Sequence, residues 1–133
     1  MRTNEPRPIS PADHITEPWW EATREERLLI QRCDACAHHQ LYPRAICTAC
    51  GSTELGFVEA SGRGVVYSWT EVQRAPHPAF NPPYLVAIVR LEEGPLMLSN
   101  IVGSKQIACE QSVHLVWEAI QDGRKIPLFA PTP

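Results

Sequence analysis

The sequence predicts a mainly β protein: a short N-terminal helix, a metal-stapled ribbon, then a five-stranded barrel. Two observations lead to this. Two CxxC pairs, Cys33-Asp34-Ala35-Cys36 and Cys47-Thr48-Ala49-Cys50, stand ten residues apart in the first half of the 133-residue chain. From Phe57 onward the pattern changes to alternating and β-branched residues broken by turn signals, as in antiparallel strands.

Residues 1–14 hold Pro6, Pro8 and Pro11 without apolar periodicity and are expected to form an extended arm, disordered alone or laid against a partner. Residues 15–56 are expected to hold the helix and the ribbon. Thr16 is placed to cap a helix with Pro18 in its first turn, and Glu17 and Glu21 suit the positive end of the dipole. The helix is predicted to run to about Arg27. Adjacent Trp19 and Trp20 cannot both enter one narrow apolar stripe, so one is expected to pack and the other to cover the surface or dock on another subunit. Leu28 to Arg32 reads as a strand feeding the first cysteine pair, and Leu41 to Ile46 crosses to the second.

Each CxxC offers two soft thiolates from one tight turn, and four such sulfurs fill the tetrahedral shell of a structural Zn²⁺. Iron in the same four sulfurs has the same geometry. Gly51 after Cys50 suits a turn that must reverse sharply, whereas Ala37 after Cys36 does not. His38 and His39 are spare ligands that four cysteines make unnecessary. A redox dithiol would open a helix in a βαβ unit, and a disulfide framework would accompany a signal segment; the polar start Met1 to Pro6 provides neither setting. The expected location is therefore cytoplasmic, with a metal that holds structure and does no chemistry. A ribbon of about 25 residues buries too little apolar surface to fold without it.

Residues 57–133 are expected to form the barrel. Val65 to Val72 is the first long strand, with Gly62 and Gly64 placed for a bend or bulge. The loop Gln73 to Pro83 is too proline-dense to be strand. Tyr84 to Leu91 and Leu96 to Val102 form a hairpin across Glu92-Glu93-Gly94-Pro95, and Val113 to Ala119 and Ile126 to Phe129 follow across Asp122-Gly123. Five strands with a long gap between the third and fourth fit an OB-type barrel, partly open.

The composition argues against a membrane span and counts against nucleic-acid binding. The longest apolar run, Tyr84 to Val89, is far short of the roughly twenty residues that cross a bilayer. The net charge is −3, with six basic and nine acidic side chains in residues 1–60 and six of each in residues 61–133. Neither half supplies the basic stripe on which non-specific nucleic-acid affinity depends.

Trp19-Trp20, Leu29 to Cys33, Cys36, Tyr42-Pro43-Arg44, Cys47 to Ser52, Ser61 to Thr70, His77-Pro78-Ala79-Phe80, Pro83-Tyr84 and Gly94-Pro95 together resemble the domain-of-unknown-function family thirty-five, over residues 15–130. The resemblance implies a rubredoxin-like zinc ribbon followed by an OB-fold. It also implies a non-catalytic accessory subunit of a thiolase-superfamily enzyme: a thiolase, an acyltransferase or a retro-aldolase that shortens steroid side chains. The implied assembly is an α2β2 heterotetramer whose partner owns the nucleophile and base, with the barrel and proline loop helping to form or shield a site for a coenzyme A thioester. The sequence departs from the family pattern at Ala37 and at Glu110-Gln111-Ser112, where a glycine and Gly-Met-Pro are usual.

No GxSxG, P-loop or HExxH motif is present. Cys109 is expected to be a buried small hydrophobe, and an independent thioester hydrolase would need it or His77. In the stiff loop around His77 and Phe80, an imidazole and an aromatic ring are presented at low entropic cost to a ligand or partner. Arg44, Arg63 and Arg74 are candidates for coenzyme A phosphates. The alternative function is single-strand nucleic-acid binding, with Tyr67, Trp69 and Phe80 as stacking platforms and Tyr67 and Trp69 on one strand face.

Overall fold

The structure is a computed structural model that describes residues 6–133. Residues 1–5 of the expected arm lie outside the described residues. Helix α1 (Glu17–Thr23) precedes a three-stranded sheet of β1 (Leu29–Cys33), β2 (His39–Gln40) and β3 (Leu55–Glu59), ordered β2-β1-β3. Strands β4 (Arg63–Val72), β5 (Tyr84–Leu91), β6 (Leu96–Ile101), β7 (Ser112–Ala119) and β8 (Lys125–Pro131) then form a closed barrel in the order β4-β5-β6-β8-β7. All barrel pairings are antiparallel except β6 with β8, which meet in parallel at the single bridge Ile101–Phe129. This is the OB-fold topology, with β4–β7 pairing closing the barrel.

The barrel follows from the period of its strands. In β5, Leu85, Ala87, Val89 and Leu91 are buried and the residues between them are half-exposed. In β6, Met97, Ser99 and Ile101 point inward. These meet Val66, Val113 and Phe129 in a core that also takes in Trp19 of α1 and Leu28, Leu29 and Ile30 beside the ribbon. Ribbon, helix and barrel thus share one apolar cluster.

Several expectations need correction. The helix stops at Thr23 and not near Arg27, because the chain turns out through a Schellman closure. Arg27 N–H donates to Ala22 O and Glu26 N–H to Thr23 O, with Glu26 left-handed at φ +57. Thr16 sits at the N-cap without a side-chain capping bond; the Asp13 carboxylate accepts from the Ile15 and Thr16 N–H groups instead. The strand before Cys33 is shifted by one residue to Leu29–Cys33. It gains a two-residue partner, β2, for which no strand was expected. Strand β3 runs through positions 56 and 57 and pairs with β1. From Pro6 on, the arm lies on this chain's own barrel. Arg7 pairs with Glu118 at 2.8 Å, Gln121 Nε2 donates to Arg7 O, and Arg124 Nη1 donates to Ser10 O. Gln121 and Arg124, both in the turn between β7 and β8, thus satisfy two carbonyls of the proline-rich arm.

The bulge in β4 falls between Val66 and Ser68, at Tyr67, whereas Gly62 makes a bend just before the strand, left-handed at φ +84. Gly64 serves close approach instead: a Cβ there would stand 2.6 Å from Arg90 O and 2.8 Å from Val89 Cγ1. No helix among the described residues is long and apolar enough to cross a membrane.

Replacing Gly64 by alanine is expected to force β4 and β5 apart and to lower unfolding stability by about 1–3 kcal/mol, the usual cost of overpacking. Denaturant unfolding of the variant with metal bound measures it.

Candidate metal centre and the surfaces around it

The two cysteine turns are built alike. Cys33 N–H donates to His38 O and Ala37 N–H to Cys33 O; Cys47 N–H donates to Ser52 O and Gly51 N–H to Cys47 O. The residue closing each turn is left-handed, Ala37 at φ +65 and Gly51 at φ +78. One side of each pair is buried, Cys33 and Cys47, and the other, Cys36 and Cys50, is exposed.

The four Sγ atoms lie within 4.8 Å of one another, with Cys33–Cys50 and Cys36–Cys47 both at 3.6 Å. A tetrahedron with metal–sulfur bonds of about 2.3 Å needs sulfurs about 3.8 Å apart, whereas a disulfide needs about 2.05 Å. The donor set therefore fits zinc and the cysteines are free thiols. His38 is used elsewhere, with Nε2 3.1 Å from Thr48 Oγ1, and the four-sulfur shell has no place for His38 or His39.

Without a cation the sulfurs compete for negative charge. Burial alone would raise the Cys47 thiol, but the backbone N–H groups of Cys50 and Ala49 and the neighbouring sulfurs bring it down to about 6. At Cys36 the His38 backbone favours the thiolate, yet burial and the three adjacent sulfurs outweigh it and push the thiol up to about 12. A bound dication displaces the remaining protons, so metal uptake releases them.

A second layer fixes the loop between the turns, and sequence reasoning missed it. Gln31 and Gln40 are both buried. Gln31 Oε1 accepts from Arg44 N–H at 2.8 Å and from Gln40 Nε2 at 2.9 Å, and Gln31 Nε2 donates to Arg44 O. Gln40 Nε2 also donates to Ile46 O, and Gln40 Oε1 accepts from Thr48 N–H and its hydroxyl. The only local signal was a glutamine at an inward position of an otherwise apolar strand. Tyr42 in the same loop was missed as a side chain with a task. Its hydroxyl donates to Leu98 O and accepts from Leu98 N–H, both at 3.1 Å, and burial raises the phenol pKa.

Beside Tyr42 lies a cleft of ≈ 330 Å³ between α1, the ribbon loop and the barrel, with Trp19, Trp20, Met97, Ile126, Pro127 and Leu128 among its lining. Trp19 is buried and its Nε1–H donates to Leu29 O at 2.9 Å, a packing role. Trp20 meets it edge-on at 4.9 Å, and the buried Arg124 guanidinium sits 4.3 Å from the Trp20 ring centre.

His77 and Phe80 are brought together at the far end of the proline loop, with ring centres 5.8 Å apart, and Phe80 lies against Tyr84 at 6.1 Å. His77 Nδ1 accepts from Ala79 N–H, and Arg7 of the arm covers Phe80 at 5.0 Å. Arg44 and Arg74 are exposed, and their guanidinium groups make no hydrogen bond or ion pair among the described residues. Arg63 is engaged by Glu92 at 2.8 Å. Cys109 is exposed, not buried, in the turn before β7. Tyr67 and Trp69 do not share a face. The bulge turns Tyr67 toward Arg90 on the outer face, 5.8 Å away, while Trp69 is in register with buried Ala87.

A four-sulfur metal knuckle joined to a closed five-stranded barrel defines a zinc-ribbon plus OB-fold protein. Residues 20–56 match the family model described as "ChsH2, rubredoxin-like zinc ribbon domain", and residues 57–118 the one described as "ChsH2, C-terminal OB-fold domain". A "DUF35 domain-containing scaffold protein" of Pyrococcus furiosus is 35% identical over 109 residues, covering 78% of this chain and 79% of that protein. The chain belongs to the DUF35 family. A "Probable enoyl-CoA hydratase alpha subunit" of Thermomonospora curvata is 40% identical over 128 residues, which is 95% of this chain but 40% of that protein. Among solved structures, a chain of the "Ltp2-ChsH2(DUF35) aldolase" superposes with a TM-score of 0.83 at 38% identity, covering 94% of this chain and 98% of that one.

Purified chain is expected to carry about one zinc, as a closed four-ligand site requires. A strong chelator is expected to release it and to accelerate hydrogen exchange first at the β1 and β2 amides, read by mass spectrometry. Ala37→Gly relieves a left-handed alanine and is expected to stabilise the metal-bound protein by about 1 kcal/mol, measured as a raised Tm.

Proposed function

We propose that this chain is a non-catalytic accessory subunit that binds a thiolase-superfamily enzyme, whether thiolase, acyltransferase or steroid side-chain retro-aldolase, and helps form or shield its acyl-CoA site. The observation that carries the reading is the end-to-end likeness to a chain of a two-component aldolase, at 38% identity over 98% of that chain. The relative described as an alpha subunit of an enoyl-CoA hydratase supports the acyl-CoA connection.

The chemistry of the chain agrees. A metal enclosed by four sulfurs has no open position for substrate. The exposed thiol of Cys109 is accompanied by no recognised nucleophile motif, and His77 spends one ring nitrogen inside its own loop. The nucleophile and base therefore belong to the partner, and this chain contributes orientation and exclusion of water, effects that raise rate without a reacting side chain. Arg44 and Arg74, with unengaged guanidinium groups, are the side chains proposed to meet coenzyme A phosphates. The proposed units are residues 15–56 for helix and ribbon and 57–133 for the barrel, in an α2β2 assembly. Thiolates holding a metal suit the reducing cytoplasm.

Co-expression with the thiolase-like protein encoded beside it, followed by size exclusion with mass measurement, tests the reading. Co-elution at the mass of a two-plus-two assembly, with turnover of an acyl-CoA substrate raised over that of the partner alone, is the expected result. Separate elution with unchanged turnover would overturn it.

A further inference from the structure

The outer face of β6 breaks the rule that an exposed sheet face is polar. Met97 and Ser99 are buried, so Leu96 and Leu98 between them point outward, and they are 44% and 58% exposed. The register carries this apolar character across the sheet. Leu98 lies directly opposite Ile88 of β5, whose neighbours Ala87 and Val89 are buried, so Ile88 also faces out. Next along is the β4 bulge, where Tyr67 is 50% exposed. On the other side the stripe passes to the ribbon through Tyr42, 44% exposed and hydrogen-bonded to the Leu98 backbone. Tyr67, Ile88, Leu98, Leu96 and Tyr42 thus form one apolar band that spans the barrel and the ribbon. A contiguous band of this kind marks an interaction surface where single exposed apolar residues do not.

Two further observations define the chemistry of what covers it. The band runs into the ≈ 330 Å³ cleft beside Tyr42, and no charged side chain among the described residues lines that cleft. Its polar groups are already engaged: Ser99 Oγ donates to Pro127 O, Asn100 Nδ2 to Leu85 O, and the Tyr42 hydroxyl to Leu98 O. The one cation within the band, Arg90, lies opposite Leu96 and over Tyr67 and forms an exposed ion pair with Glu110 at 3.0 Å. The facing surface is therefore expected to be mainly apolar, with at least one projecting apolar side chain for the cleft and polar groups where it meets Arg90 and Glu110. That is the anatomy of an interface core with an anchor residue and a polar rim.

We propose that this band is the face by which the chain docks on its thiolase-fold catalytic subunit, with an apolar side chain of that subunit seated in the cleft between Trp20, Tyr42 and Pro127. The proposal rests on the accessory-subunit reading above. The occupant is assigned to a different chain because the structure this chain superposes on, over 98% of the matched chain, is a two-component aldolase in which such a unit is held with a second protein. A unit of this size in such an assembly meets its enzyme through its own surface.

The test uses the metal-bound full chain and the thiolase-like protein encoded beside it, with binding measured by titration calorimetry. Leu98→Asp and, separately, Tyr67→Asp are each expected to weaken binding at least about ten-fold while zinc content and Tm stay near wild type. Trp69→Asp, which changes an equally exposed aromatic away from the band, is expected to leave affinity unchanged. Wild-type affinity in both Leu98→Asp and Tyr67→Asp would overturn the docking face and leave the accessory-subunit reading standing. No binding by the wild-type chain would overturn that reading together with the face. A wild-type chain that sediments alone as a dimer, and as a monomer after Leu98→Asp, would assign the band to a second copy and overturn the proposal.

Discussion

Four sulfurs within 4.8 Å of each other cannot all be charged unless a cation stands between them. The metal-free set divides accordingly: neighbouring N–H groups and sulfurs draw Cys47 down to about 6, while burial and the adjacent sulfurs push Cys36 up to about 12. Almost everything in the first half of the chain depends on its resolution. Strand β2 is two residues long and meets β1 at only Gln31–Gln40 and Arg32–His39, so the edge that carries the first cysteine turn has little ladder of its own. The metal ties the two cysteine turns at the open end of this sheet. Once they are fixed, Gln31 and Gln40 can close their network on the loop between, each burying an amide that would be costly without every partner in place.

From that loop the order passes to the barrel. Tyr42 reaches Leu98, Ala60 N–H donates to Leu28 O, and Ile30 sits in the same core as Val66, Val89 and Phe129. Helix α1 is the wedge between the two parts. Trp19 donates to Leu29 O on the ribbon side, while the wholly buried Thr23 hydroxyl accepts from Lys125 N–H of β8. Arg124 completes the junction by pairing with Asp122 at 2.6 Å, covering Trp20 and holding Ser10 of the arm. A buried guanidinium is tolerated there because its charge is paired with Asp122, Nη1 donates to Ser10 O and its plane lies over the Trp20 ring.

What was legible in the sequence was local. Four cysteines at fixed spacing named the metal site, and the strict alternation from Tyr84 to Leu91 placed β5 at its true ends. What was not legible is set by bonds between residues far apart. Tyr42 to Leu98 spans 56 positions and Arg124 to Ser10 spans 114, and nothing near Tyr42 or Ser10 announces either. The helix end was misread for a related reason. Arg24-Glu25-Glu26-Arg27 has good helical propensity, but Glu26 is taken into a left-handed turn and held there by Lys125 at 2.9 Å. The bulge at Tyr67 was misplaced because glycine is only one way to make one; two β4 residues opposite a single β5 position suffice.

The same geometry restricts how anything can meet the barrel. β6 and β8 join only at Ile101 and Phe129, so the facing edge of β6 from Leu96 to Leu98 has no strand beside it. Such an edge ordinarily invites another strand. Here the Tyr42 hydroxyl occupies both the N–H and the C=O of Leu98, and on β8 Pro127 has no N–H to offer across the gap. Ser99 Oγ takes Pro127 O as well. With these main-chain groups satisfied internally, an incoming strand would find few hydrogen bonds to make. Recognition is left to side chains packing on Leu96, Leu98 and their neighbours. An interface of the proposed kind would gain its strength from shape and apolar burial, with the loop between the cysteine turns holding Tyr42 against Leu98.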